Sequence, residues 1–301
     1  MPPDVVVVGS ANLDLVVDVD TIPQVGETVM GGDLRRIPGG KGANQAVAAA
    51  RLGRRVAMIG RLGADEGGDI LRHALDNDGV DTSHLLTTTD VPNGVALIAV
   101  GSDGDNSIVV SPGANARVTE ADVTAAAPVL AEATVALLQL EIPLGAVAAA
   151  ARTAGGTVIL NPAPAPAEPL PEALLADVDV LVPNQTELAT LAGHDGPVDT
   201  EIARDLATSL PTASVIVTLG AQGALVVVDG EATHVPAPVV APVDTTAAGD
   251  SFCGALADAL VRGESLVDAT RWAVRVGAAT TQRHGAQPSL PTAAEVDQLL
   301  A

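Results

Sequence analysis

Residues 135–160 read VALLQLEIPLGAVAAAARTAGGTVIL. Two short, wholly apolar runs, 135–138 and 158–160, flank the alanine-rich stretch 144–153. Runs this short, with no polar alternation, predict strands buried on both faces, and the stretch between them has the composition of a helix. Strand, helix and strand in that order form a βαβ unit, which implies a parallel sheet covered by helices. The same alternation continues outward. Residues 5–8, 178–182 and 215–218 predict further strands, with helices at 121–130, 186–192 and 201–209. A hairpin, 224–228 and 233–235, turns at Asp229-Gly230. The last third predicts helices at 248–262, 266–283 and 293–300. Residues 13–19 and 95–100 also predict strands, and 107–110 returns after the turn cluster 101–105. Residues 161–171 read as an Ala/Pro loop. The expected fold class is α/β: one domain over residues 1–301, a three-layer α/β/α sandwich with a mostly parallel central sheet and a small β-sheet lid from segments near 13–19 and 94–110.

Composition narrows the function. The chain has 301 residues, 48% of them hydrophobic but only 1% aromatic, so the core is built from Ala, Val, Leu and Ile. A formal charge of −22 argues against nucleic-acid or anionic-membrane partners, which need basic surfaces. The single cysteine, Cys253, rules out an internal disulfide. The start, Met1-Pro2-Pro3-Asp4, lacks a basic signal-peptide region, and no apolar run is long enough to span a bilayer. A cytoplasmic protein is expected.

Lys41 is the only lysine among 15 basic side chains of the Lys/Arg type. It lies in Gly39-Gly40-Lys41-Gly42-Ala43-Asn44-Gln45-Ala46, which runs into an alanine-rich helix at 44–51. A compact ammonium beside glycines at a helix start suits an anion or a polyol. A second segment, Asp244 to Ala255, places small residues before a helix and an acid in its first turn. The amides of Ala247, Ala248 and Gly249 predict an anion hole, with Asp250 beside it as a general base for phosphoryl transfer; a plain dipole-favoured Asp is the alternative. Asn184 and Glu187 follow a buried strand. They form a capping box, or hold magnesium waters near nucleotide phosphates, or both. Thr218-Leu219-Gly220-Ala221-Gln222-Gly223 allows backbone approach to a polyphosphate. Asn12 and Asp14 leave the first strand on one face, an amide–carboxylate pair suited to sugar hydroxyls. A Walker A loop fails because Gly42 follows Lys41, a dinucleotide fingerprint is missing after residue 8, and the five histidines are scattered.

Taken together, residues 39–46 with Gly53 and Gly63, residues 244–255, and the segments 94–98, 112–116, 139–141, 161–165 and 285–289 resemble the PfkB-type carbohydrate kinases along the whole chain. The resemblance implies ATP-dependent phosphorylation of D-ribose at its 5-hydroxyl. It implies that Asn12, Asp14, Gly40, Lys41, Asn44 and Glu141 bind the sugar, with Asp250 as base. It implies that Asn184, Glu187, Thr218, Gly220 and Gly223 serve ATP and Mg2+. Asp244, Thr246, Thr280, Arg283, Gly285 and Ser289 would surround an activating K+, partly through carbonyls. Other acceptors within the family, or a silent sugar-binding regulator, are the alternatives. Apolar lid residues such as Val17, Ala96, Ile98 and Val110 predict a homodimer through the lid.

Overall fold

The computed structural model describes residues 1–301 except Gly104 and Ala167. Those two, in the expected lid turn and the expected Ala/Pro loop, lie outside the described residues. The chain begins with β1 (Val5–Val8), then β2 (Asn12–Val19) and β3 (Arg35–Gly39), and continues through α1 (Lys41–Arg51), β4 (Val56–Gly63), α2 (Glu66–Asn77) and β5 (Leu85–Thr88). The hairpin β6 (Gly94–Gly101) and β7 (Asn106–Ser111) follows, then α3 (Glu120–Ala125), α4 (Ala127–Glu132), β8 (Val135–Leu138), α5 (Leu144–Thr153) and β9 (Thr157–Leu160). Next come α6 (Glu172–Ala176), β10 (Val180–Leu181), α7 (Gln185–Ala192), α8 (Thr200–Ser209), β11 (Ser214–Thr218), β12 (Ala224–Val228) and β13 (Glu231–Val235). The chain closes with α9 (Ala248–Val261), α10 (Leu266–Thr280) and α11 (Ala293–Leu299).

Nine strands form the main sheet in the order β13-β12-β11-β10-β9-β8-β1-β4-β5, parallel except for β12 and β13. Alternation of side chains splits each strand between two cores. Val5 and Val7 join the core under α1, α2, α9, α10 and α11, whereas Val6 and Val8 join the core under α3 to α8. This is the three-layer sandwich. A separate sheet, β3-β2-β6-β7, is built from two excursions of the chain, β2 and β3 between β1 and α1, and β6 and β7 between β5 and α3.

The sequence expectation omits β3, α2, β4, β5 and α6, and differs in two further places. β3 (Arg-Arg-Ile-Pro-Gly) escapes it because charge and Pro38 suit only an edge strand, which it is. β4 escapes it because Gly60 and Arg61 interrupt its apolar run. Gly60 is there because a Cβ would lie 2.6 Å from the Gly9 carbonyl, and Arg61 is neutralised by Asp122 at 2.7 Å. The helix expected over 121–130 is two short ones, since Pro128 lies in the first turn of α4 and cannot continue α3. Of the apolar residues expected to face outward on the small sheet, Val110 is exposed, Val17 and Ile98 are half-buried, and Ala96 is buried.

One contact fixes the geometry used below. α1 and α9 cross so closely that a Cβ on Gly254 would come within 2.6 Å of the Ala48 Cβ and 3.0 Å of the Ala49 amide. The alanine-rich faces of both helices permit this approach, and it sets the first turn of α9 beside the first turn of α1.

Candidate active site

The site lies at the carboxyl ends of β1, β8, β9 and β10, against the first turns of α1 and α9. It starts from the entry to α9. Ala247 takes a left-handed conformation (φ 59°), which a non-glycine residue rarely adopts. The Ala248 amide donates to the Thr245 carbonyl at 3.2 Å, so the expected hole of three free amides is narrower than the sequence predicts. Gly249 and Asp250, as first-turn residues, keep amides without a carbonyl one turn back, and a Cβ at Gly249 would meet open space.

Asp250 is buried and held from two sides. Asn44 Nδ2 donates to its Oδ2 at 2.9 Å and Gln45 Nε2 to its Oδ1 at 3.2 Å. Burial pushes its pKa above the ordinary carboxylate value; the Lys41 charge and the two amides oppose that push, and Glu141 adds to it. Burial by itself pulls the Lys41 ammonium down, but Asp250, Glu141 and Glu187 together outweigh it and hold the pKa above the usual lysine value. Lys41 is therefore a firmly charged cation.

The other wall comes from the β1–β2 junction. Glu141 Oε2 accepts from the Ser10 hydroxyl at 2.5 Å and from the Lys41 amide at 3.0 Å, so it caps the start of α1 from outside the helix. Asn12 is buried with its Oδ1 accepting from Asn115 Nδ2 at 2.7 Å, which turns the Asn12 amide donors away from Asn115. Asp14, on β2, has a pKa raised to about 7 by burial first and by Glu141 and Asp250 after it. Gly39 must be glycine because a Cβ would sit 2.2 Å from Asp14 Oδ2. Gly40 (φ 89°) likewise brings the backbone against Ala11 and Asn12.

Two cavities open beside this cluster. One, of about 150 Å³, is polar and lined by Lys41, Asn184, Glu187, Thr218, Gly249 and Asp250, among others. The other, of about 350 Å³, is mainly apolar and lies between residues 237–242 and α10, with Gly220 and Gly223 at its rim. They share Thr218 and Gly249, so a molecule with an apolar head and an anionic tail can thread both. The capping box of α7 is complete: Glu187 N donates to Asn184 Oδ1 and Asn184 N donates to Glu187 Oε2, both at 2.8 Å. Structural and pocket-lining roles coincide in these two residues.

Residues 2–293 match the model of the pfkB family carbohydrate kinases. The chain belongs to that family. It is a carbohydrate kinase, an enzyme that transfers a phosphoryl group to a sugar hydroxyl. It is 38% identical to the ribokinase of Haemophilus influenzae, covering 98% of this chain and 97% of that one. It is 36% identical to the deoxyribokinase of Salmonella typhi, over 99% of each chain. The structure of Arabidopsis thaliana ribokinase complexed with ribose and ATP superposes with a TM-score of 0.90 at 35% identity, covering 100% of this chain and 99% of that one.

The kinase's remaining expected residues sort clearly. Asp244 joins two loops: its Oδ1 accepts from the Thr246 amide at 2.9 Å and its Oδ2 from the Gly285 amide at 2.8 Å. Burial raises the Asp244 pKa, but these amides outweigh it and keep it below the usual range. Three other side chains of the expected cation set point elsewhere. The Thr280 hydroxyl donates within α10 or to Ser251, Arg283 pairs with Glu295, and the Ser289 hydroxyl donates to the Ala286 carbonyl. These residues can offer a cation only their carbonyls. Among the described residues no helix is long and apolar enough to cross a membrane. Sequence reading missed Ser10, Gln45, Asn115, Gln139 and Asn161. A buried amide on an otherwise alanine-lined helix face was the available signal for Gln45.

The Asp14 carboxyl gives a sign-definite prediction. Its unfolded pKa is near 3.8 and its folded pKa about 7, so the folded state loses stability as pH rises through that window and stays penalised above it. Asp14→Asn is expected to raise thermal stability at about pH 8, by up to about 4 kcal/mol, and to give no gain near pH 4. Thermal unfolding across that range checks this; superimposable profiles for the two proteins would refute the penalty.

Proposed function

We propose that this kinase is an ATP-dependent D-ribose kinase that phosphorylates the 5-hydroxyl to give ribose 5-phosphate. The observation that carries this reading is the position of Asp250. It is buried where a polyol-sized set of polar groups meets the cavity able to hold a polyphosphate. In this reading Asn12, Asp14, Asn44, Glu141, Lys41 and the Gly40 backbone bind the sugar. Asn44 Oδ1 is buried without a partner, an acceptor suited to a sugar hydroxyl. Asp250 takes the proton of the attacking hydroxyl. Ala247 and Ala248 shape the turn that aims the free first-turn amides, Gly249 chief among them, at the negative charge developing on the transferred phosphoryl. Lys41 neutralises charge beside the same point.

The nucleotide base fits the apolar cavity, with Thr218, Gly220, Gly223 and Asn184 along the path of its phosphates. Glu187 keeps one oxygen free of the capping box and faces the polar cavity, and such hard oxygen donors fit Mg2+ held through water. Bound there, Mg2+ would neutralise phosphate charge. A monovalent cation fits the Asp244 loop: Asp244 supplies one carboxylate, and Thr246, Thr280, Arg283, Gly285 and Ser289 can add carbonyls. That donor set is too weak in charge for a tight divalent site. An ATP donor suits a cytoplasmic enzyme.

Asp14 rides on the small sheet, so sugar held between Asp14 and Asp250 draws that sheet over the site as a lid and excludes water. Leu97 on β6 and Ile108, Val109 and Val110 on β7 are exposed, and β7 is an unpaired edge. A homodimer through the two lids would cover them. Sedimentation should show a dimer that Val109→Asp weakens; a wild-type monomer at micromolar concentration would end that proposal.

Deoxyribose is the second reading, because the Salmonella typhi deoxyribokinase is nearly as similar as the ribokinases. A coupled ADP-release assay over pentoses, hexoses and nucleosides decides. Ribose is expected to give the highest kcat/KM, since an analogue lacking a hydroxyl leaves buried site groups unpaired. Preference for deoxyribose or another acceptor would overturn the assignment. In the same assay Asp250→Asn is expected to lose about 10²- to 10⁴-fold in kcat while both ligands still bind by calorimetry. Potassium is expected to raise the rate over sodium or Tris at matched ionic strength. Equal rates would remove the cation role.

A further inference from the structure

We propose that Gln45 is a positioning residue for Asp250, and that Gln139 holds Gln45 in the orientation this requires. The inference rests on the reading of Asp250 as the base. Gln45 is fully buried, on the inner face of α1 among alanines, where an unsatisfied amide would be costly. Its Oε1 accepts from Gln139 Nε2 at 2.6 Å. That bond leaves its Nε2 on the opposite side, where it donates to Asp250 Oδ1 at 3.2 Å and to Asn161 Oδ1 at 3.3 Å. Asn161 is fixed in turn, its Nδ2 donating to the Val182 carbonyl at 2.9 Å.

The relay therefore runs from the end of β8, through α1, to the base on α9, with a brace from β9 to β10. Its polarity follows from its last member: the Asp250 carboxylate accepts, so Gln45 turns its Nε2 toward Asp250 and its Oε1 toward Gln139 Nε2. Gln139 Oε1 is buried against Gly9, where a Cβ would lie 2.0 Å away, and has no hydrogen-bond partner among the described residues. Were Gln45 flipped, its carbonyl oxygen would face the Asp250 carboxylate, and two oxygens without a proton between them repel. Gln45 thus fixes the carboxylate plane through Oδ1 while Asn44 holds Oδ2. Both donors favour the ionised form, the one that accepts a proton.

The groups that bear on Asp250 come from every neighbouring element. Lys41 on α1 favours its charge, whereas Glu141 after β8, Glu187 on α7 and Asp14 on β2 oppose it, and the buried Cys253 thiol lies one turn along α9. Against burial and three carboxylates, the Gln45 amide is one of the few contacts that favour the ionised base.

The test compares Gln45→Met, Gln139→Met and Asp250→Asn by full kinetics with ribose and ATP across pH. Removing a hydrogen bond to a buried charge is expected to lower kcat of Gln45→Met roughly 10- to 100-fold. Its KM values should stay close to wild type, and the acid limb of its kcat profile should move to higher pH. Gln139→Met, which does not touch Asp250, should shift kcat and the limb the same way by less, and it decides the matter alone if Gln45→Met does not fold. An inactive Asp250→Asn beside wild-type kcat and acid limb in the glutamine variants would overturn this inference and leave the base in place. Raised KM with an unmoved limb would also overturn it, because a loosened sugar site does that. An active Asp250→Asn would instead overturn the base assignment on which the relay depends.

Discussion

The close crossing of α1 and α9 is the constraint on which the site depends. Gly254 lets α9 approach α1 to a separation that no side chain at that position would allow. The two helices start at the same level, so Lys41, Asn44 and Gln45 from one meet Gly249 and Asp250 from the other. These residues are separated by about two hundred positions in sequence, and a patch of alanine and glycine brings them together. An aromatic core of ordinary bulk would hold the helices farther apart. The near absence of aromatic residues and the geometry of the site are therefore linked.

That proximity creates an electrostatic problem which the site resolves by placement. Asp14, Glu141, Glu187 and Asp250 crowd one cation, Lys41. Glu141 is tied to a hydroxyl and a helix-start amide, and Glu187 to an amide of its own capping box. The Asp250 and Glu187 pKa values are raised, and Asp14, which has no such tie among the described residues, has its pKa raised to about 7. The carboxylate with the least internal support is the one on the small sheet, so ligand contacts there do most to relieve the free protein.

Sequence pattern revealed the βαβ alternation, the terminal helices and the hairpin of β12 and β13, because these elements are strongly periodic and bounded by turn residues. It did not reveal β3 or β4. β3 is polar and contains Pro38, and its identity as a strand comes from pairing with β2, a contact remote from local propensity. β4 carries an arginine whose charge is cancelled by Asp122, sixty-one positions away. The candidate site was legible where glycine, lysine and acid lie together in one short segment. It was not legible where the effect depends on tertiary meeting: the engaged Ala248 amide, the Ser10 and Asn115 contacts that orient Glu141 and Asn12, and the apolar wall from residues 237–242 are properties of the folded chain.

Lys41 has one more consequence, for how the protein can be handled. Every other side chain of the Lys/Arg type is a guanidinium, so Lys41, half-buried at the centre of the site, is the one primary amine among the side chains of this sequence. Amine-directed chemistry therefore meets a nearly blank surface. Among the side chains, a dye, a linker or a solid support directed at amines has Lys41 as its one target. The extent of reaction at that amine is then a direct gauge of how open the site is.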